Sequence, residues 1–329
     1  MNILIKSILK ITLVFTLCVI MMGAYTRLSD AGLGCPDWPG CYGLLKVPTA
    51  EHELNQVKQA FPEHMVETEK AWLEMIHRYI AGTLGLLVLL ILVLSLKTRD
   101  APKKLPLFIA ALIIFQAALG MWTVTMKLMP IIVMAHLLGG FALFSLLLLL
   151  YLRNKPLRIP GGDLPARKLA GFAAICIGVL LLQIILGGWT SSNYAALACT
   201  SLPFCEGNWV DNLNFAKAFS PFQGDHASFE FGVLDYPARM TIHVAHRVGA
   251  IITSIMLLYL AFKLIRTAKS STIRNAAWLL ATLVVVQVIL GISNVVLHLP
   301  LSIAVSHNAG AALLLLTLVF INYALWRKA

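Results

Sequence analysis

Residues 80–96 read IAGTLGLLVLLILVLSL, a stretch without a charged side chain. An α-helix rises about 1.5 Å per residue, and about 20 mostly apolar residues cross a ~30 Å hydrocarbon layer. Extended back to residue 76, this stretch is long enough. It is apolar on every helical face, which suits a helix surrounded by lipid or protein rather than water. Runs of the same kind occupy 8–26, 106–126, 131–152, 169–190, 241–262, 275–296 and 302–325, so eight spans are predicted. The 329-residue chain is 59% hydrophobic and 12% charged, about half the charge of an ordinary soluble domain. The runs are continuous rather than alternating, which excludes a membrane β-barrel. The first run is too long for the apolar core of a signal peptide, and no small-residue cleavage site follows it. It is therefore read as a retained span.

The net charge of +11 could suggest a nucleic-acid partner, but its distribution points to a membrane. With the N-terminus inside, the short inner connections carry Lys97, Arg99, Lys103 and Lys104, then Arg153, Lys155, Arg158, Arg167 and Lys168, then Lys263, Arg266, Lys269 and Arg274. The inner termini add Lys6, Lys10, Arg327 and Lys328. The two long outer segments, about 27–75 and 191–240, carry few basic residues and most of the acidic ones. This is the positive-inside pattern. It predicts a bacterial inner (plasma) membrane protein with both termini cytoplasmic, lipid around it and no nucleic acid. Cys35/Cys41 and Cys199/Cys205 share one spacing in the outer segments, where an oxidising face favours two disulfides. Cys18 and Cys176 lie within spans and are read as packing thiols. Asn55 to Glu74 has apolar residues at helical spacing and is predicted to form one amphipathic surface segment.

The chain repeats itself. Gly23-Ala-Tyr-Thr26 matches Gly187-Gly-Trp-Thr190, and each cysteine pair follows at the same interval. His77-Arg78 matches His246-Arg247, Gln116-Ala-Ala-Leu-Gly120 matches Gln287-Val-Ile-Leu-Gly291, and His136 matches His307. A fixed order of features at a near-constant offset marks an internal repeat. The predicted fold is thus all-α and membrane-integral, with eight helices in two tandem four-helix bundles. Four helices per unit preserve orientation, so the halves should relate by a pseudo-two-fold axis along the membrane normal. The expected halves are 1–155 and 156–329.

The repeat sets out the chemistry. His77, His136, His246 and His307 fall near the outer ends of the four even-numbered spans, whereas His52, His64, His226 and His298 lie in loops and read as surface residues. An ionisable side chain inside a membrane helix is costly and marks function by default. Two neutral imidazoles facing one another across a bundle can ligate a haem iron axially. Zinc and copper want three or four ligands, and the first half offers two at that depth. Glycines follow each histidine: Gly82 and Gly85, Gly139 and Gly140, Gly249, and Gly310. They suit either close helix packing or a flat macrocycle against the helix, and the sequence does not separate the two. Arg78 and Arg247 could pair with haem propionates or snorkel to headgroups. Glu74 lies one turn before His77, where the second half has His243. A carboxylate on one side only implies divided labour, with chemistry in the first half and a permanent haem in the second.

At these residues the sequence resembles the haem A synthase family. The resemblance runs over essentially the whole chain. It rests on Gly23-Ala-Tyr-Thr-Arg-Leu-Ser29, Gly34-Cys-Pro-Asp-Trp-Pro-Gly-Cys41, Glu74-Met-Ile-His-Arg78, Ala135-His136-Leu, His246-Arg-Val-Gly249 and Ser306-His307-Asn-Ala-Gly310. The resemblance implies oxidation of the C8 methyl of haem O to a formyl group by successive hydroxylations and loss of water, giving haem A for a terminal oxidase. It puts the substrate haem on His77 and His136 in the N-terminal half and a b-type haem on His246 and His307 in the C-terminal half. Glu74 takes the catalytic position. Cys35/Cys41 takes that of a redox-linked loop disulfide, and Cys199/Cys205 that of a more structural one. A haem O synthase is the implied donor, with an electron acceptor and a homo-oligomer as further partners. The competing expectation is a di-haem b-type electron-transfer cytochrome, which would prefer haems near both faces.

Overall fold

The computed structural model describes residues 3–62, 64–99, 101–154, 159, 163–203 and 205–326. Eight helices are long and apolar enough to span a membrane: α1 (Ile3–Leu28), α3 (Thr68–Lys97), α4 (Lys104–Thr125), α5 (Pro130–Asn154), α7 (Ala170–Ser192), α9 (Tyr236–Thr267), α10 (Ser271–Val296) and α11 (Leu301–Trp326). Short helices α2 (Glu51–Ala60), α6 (Leu164–Arg167) and α8 (Phe215–Ala218) lie in the connections. Each expected span is present, mostly extended by a few residues. The expected boundary at 155/156 lies outside the described residues, as do Lys155, Arg158, Arg327 and Lys328.

The expected single segment from Asn55 to Glu74 is instead two pieces. Helix α2 stops at Ala60, and α3 starts at Thr68. Pro62 has no N–H to donate and disfavours helix at the residue before it. Phe61 accordingly leaves the helical region, at φ −131° and ψ 63°.

The helices form two rings. In the first, α1 packs on α3, α3 on α4, α4 on α5 and α5 back on α1. In the second, α7 packs on α9, α9 on α10, α10 on α11 and α11 back on α7. Thus α3 and α5 stand diagonally across one ring, and α9 and α11 across the other. The rings meet where α1 and α5 contact α11 and α7. Helix α11 is the most enclosed span, with 56% of its apolar window buried against 17–28% elsewhere. Ile11, Val14, Leu86, Phe108, Ile114, Leu182 and Ile255 point outward, each more than half exposed. Such a surface suits lipid rather than water.

The helix ends recur across the halves. The amide of Ala31 reaches back to Thr26 O, and that of Ala195 to Thr190 O. Leu128 reaches Thr123 O in the α4–α5 turn, and Leu299 reaches Asn294 O in the α10–α11 turn. Each closes a six-residue helix-terminating loop, with Asp30, Tyr194, Lys127 and His298 at positive φ. Tight turns of this kind keep neighbouring helices antiparallel, so α3, α5, α9 and α11 all enter from one side. The cysteine loops lie on that side.

Candidate functional site

Each half carries a short disulfide loop tied down by an arginine. In the first half Cys35 is bonded to Cys41. Arg78, one turn into α3 beyond Glu74, donates to the carbonyls of Gly40 and Pro39 and to the Glu74 carboxylate. The other Glu74 oxygen accepts the amide of Cys35 at 2.9 Å. Glu74 is 5% exposed, so both of its oxygens are committed inside the protein. In the second half Cys199 is bonded to Cys205. Arg247 donates to Ser201 O at 2.8 Å and to the carbonyls of Pro203 and Cys199, and its Nε donates to His243 Nε2 at 3.2 Å. His243 is 4% exposed. The loop clamps therefore correspond, and the carboxylate of one is replaced by an imidazole in the other.

This geometry adds to the reading of Arg78 and Arg247. Their guanidinium forks hold loop carbonyls, a use the sequence did not suggest. An arginine fork suits converging carbonyls as well as it suits anions.

The four span histidines lie just below these loops. Each keeps part of its surface exposed although it sits within a ring, and each ring lies over a glycine of the adjacent helix. A Cβ on Gly23 would come within 2.8 Å of the His77 ring, on Gly120 within 3.4 Å of His136, on Gly187 within 3.0 Å of His246, and on Gly291 within 3.2 Å of His307. The sequence marked these glycines as repeat landmarks and left their role unread. Of the glycines that follow the histidines, Gly139, Gly249 and Gly310 receive the side chains of Gln116, Gln183 and Gln287. Gly82, Gly85 and Gly140 face open space. The sequence reading quoted Gln116 and Gln287 as repeat landmarks without giving them a role, and it passed over Gln183. Gln183 bonds both Nδ1 and the carbonyl of His246 at 3.0 Å, and Gln287 donates to the His307 carbonyl at 2.9 Å. Their signal was available as Gln-x-x-x-Gly at 116, 183 and 287.

The loop histidines His52, His64, His226 and His298 are exposed, as expected. Cys176 is a buried packing thiol, but Cys18 is exposed, which corrects the expectation of burial. Among the described residues, no helix covers the face of α1 on which it lies. In lipid a span is apolar all round, so hydropathy does not say which face packs.

Residues 6–319 match the COX15-CtaA family, described as cytochrome oxidase assembly protein. The chain belongs to this family. Among similar proteins, Heme A synthase of Shewanella oneidensis is 70% identical over 322 residues, covering 98% of this chain and 97% of that one. Heme A synthase of Granulibacter bethesdensis is 28% identical, covering 96% and 87%. That of Mesorhizobium japonicum is 26% identical, covering 95% and 88%. Family membership and eight apolar helices together make this a multi-pass membrane protein.

Proposed function

We propose that the chain is a haem A synthase that oxidises the C8 methyl of haem O, through hydroxylated forms and loss of water, to the formyl group of haem A. The observation that carries the reading is Glu74, a buried carboxylate one turn from His77, with His243 at the matching place in the other half. His77 and His136, on diagonal helices of the first ring, hold the substrate haem. His246 and His307, on diagonal helices of the second, hold a b-type haem.

The residues fit such groups. The donors are paired imidazoles on residues that are only partly buried, glycine backs each ring, and the Nδ1 atoms of His77, His136 and His307 are buried without a partner. When iron is on Nε2, Nδ1 carries the proton and needs an acceptor. The Oε1 atoms of Gln183 and Gln287 are buried, unpaired and next to such rings. The b-type haem, when bound, supplies one-electron chemistry at iron. Glu74 supplies fixed negative charge where the substrate methyl loses electrons, and Arg78 with the Cys35 amide keeps that charge in place. The cysteine loop closes over this end of the ring and limits water there. Cys35/Cys41 serves as a redox-linked pair, a role supported by the bond from the Cys35 amide to Glu74, and Cys199/Cys205 as a structural one.

Further parts of the reading follow from chemistry. The cysteine loops face the outside of a bacterial inner membrane and the termini face the cytoplasm. A haem O synthase delivers the substrate, an external acceptor takes the electrons, and a homo-oligomer is a suitable assembly. Both histidine pairs lie toward one face, which suits electron transfer across the membrane less well than it suits synthesis.

The test is pigment analysis of wild type and Glu74→Ala, each produced beside a source of haem O. Haem A in the wild type and haem O accumulating in the variant are expected. Haem B alone in both, at two per chain, would replace the synthase with the electron-transfer cytochrome.

A further inference from the structure

At the end of the molecule opposite the cysteine loops, the two rings part along a groove. It has a volume of about 600 Å³ and is lined by Leu149 of α5, Ile177 of α7, and Val319, Asn322, Tyr323 and Trp326 of α11. The four α11 residues recur at helical spacing, so they lie along one face of that helix. Leu149 belongs to the first ring, and the other five residues to the second. Helix α11 is tied to both sides of the groove. The Asn322 side-chain amide donates to Ala173 O of α7 at 3.0 Å, and the Tyr323 hydroxyl to Leu152 O of α5 at 3.1 Å. Every lining residue stands within about two turns of its helix end, so the groove lies just inside the membrane surface.

The lining is mostly apolar, and apolar cavities stay dry. Left unfilled, the wall atoms would lose their dispersion contacts. A hydrocarbon chain fills the space without either cost. The rim adds charge. Arg153 follows Leu149 by four residues, on the same face of α5 and one turn nearer the membrane surface. It is exposed and pairs with no carboxylate among the described residues. The stretch from Arg153 to Lys168 also holds Lys155, Arg158 and Arg167, against a single acid, Asp163. Asp163 is 2% exposed, and its two oxygens accept the amides of Ala166 and Ser270, so it neutralises none of them. Trp326 is 62% exposed at the same end, where indole rings settle at headgroup level. An apolar slot, an interfacial tryptophan and an unpaired cation suit a molecule with a long hydrocarbon chain and an anionic head.

We infer that this groove binds one anionic phospholipid, with an acyl chain between α5, α7 and α11 and the phosphate at Arg153. The lipid joins the two rings at this end, as Arg27 and Tyr194 join them at the other. Its chain replaces protein packing that the groove lacks, and its head supplies the negative charge that this connection lacks. The inference does not depend on haem chemistry; it requires only that the chain spans a membrane.

The test uses the full chain in detergent, stripped of lipid. Phosphatidylglycerol is the probe, and phosphatidylethanolamine with the same acyl chains is the control. Phosphatidylglycerol should raise the unfolding midpoint, because a ligand of the folded state stabilises it, and native mass spectrometry should count one per chain. Arg153→Gln should weaken its binding about fivefold, the effect of one basic residue beside a charged lipid surface. Lys104→Gln removes the same charge from the start of α4, which does not line the groove, and should leave binding unchanged. Val319→Trp grows into the groove and should expel the acyl chain, so that no lipid is retained. Equal binding of the two lipids overturns the inference, as do equal effects of Arg153→Gln and Lys104→Gln. Inorganic phosphate that protects as well as the lipid would make this a free-anion site and overturn it. So would self-association that Val319→Trp abolishes while the wild type retains no lipid, since the groove would then seat a second copy. If Val319→Trp does not fold, the comparison of Arg153→Gln with Lys104→Gln decides.

Discussion

Gly34 shows how narrow the fit beside Glu74 is. A Cβ there would lie 2.6 Å from the backbone carbon and 2.7 Å from the carbonyl oxygen of Lys70. Helix backbone does not give way as a flexible side chain does. Gly34→Ala must lift the loop from α3, and the Cys35 amide then leaves the Glu74 carboxylate. A loss of about 1–3 kcal/mol is expected, as for overpacking a filled interior, with faster hydrogen exchange at Cys35. Thermal unfolding in detergent, read with exchange at that amide, checks both; an unchanged midpoint and protection would contradict the contact. At this scale the sequence exposed Glu74, its counterpart His243 and the four histidines, because rare ionisable residues in apolar runs stand out. The seats of Gln116, Gln183 and Gln287 on Gly139, Gly249 and Gly310 stayed hidden because they join residues of different helices. Their spacing has meaning only once it is known that α4 faces α5, α7 faces α9 and α10 faces α11.

Among the elements, the second cysteine loop depends on an exposed carboxylate. Glu206 accepts the Thr200 hydroxyl and the Ser201 amide, both at 2.7 Å. The Thr200 hydroxyl first, and backbone amides after it, hold the Glu206 carboxyl down to about 2 from its ordinary 4.5. Because the folded value is the lower one, this support is complete above about pH 4.5 and is lost as pH falls from there through 2. The protection factor of the Ser201 amide should decline across that window, and Glu206→Gln should remove the dependence. A flat wild-type profile would show that the carboxylate does not order the loop. Span positions were legible from hydropathy because lipid leaves backbone groups no partner outside a helix. The break at Pro62 was also written in the sequence, but helical spacing on both sides masked it. The arginines were harder. Arg78 and Arg247 read as groups for propionates or headgroups, and only the folded loops bring carbonyls to their forks.

Across the whole molecule the two rings are joined by polar contacts as well as packing. Arg27 of the first half donates to the Tyr194 hydroxyl at 2.8 Å and to Ser191 O, and its guanidinium lies 4.2 Å from the Tyr194 ring centre. The Phe229 amide reaches Lys127 O across the same seam, and on the far side the Tyr323 hydroxyl donates to Leu152 O. A double-mutant cycle of Arg27→Ala and Tyr194→Phe should give a coupling of about 1 kcal/mol; additive effects on unfolding would deny that the seam uses this pair. The sequence by itself determined the eight spans and the repeated order of features, and it singled out Glu74 and the four span histidines, because each is a matter of composition or order along one chain. Tertiary structure alone decided which helices stand diagonally, which face of α1 leaves Cys18 uncovered, and which glycines seat a glutamine. Those are relations between faces of different helices. In a membrane all faces of a span are apolar, so no periodicity in the sequence records them.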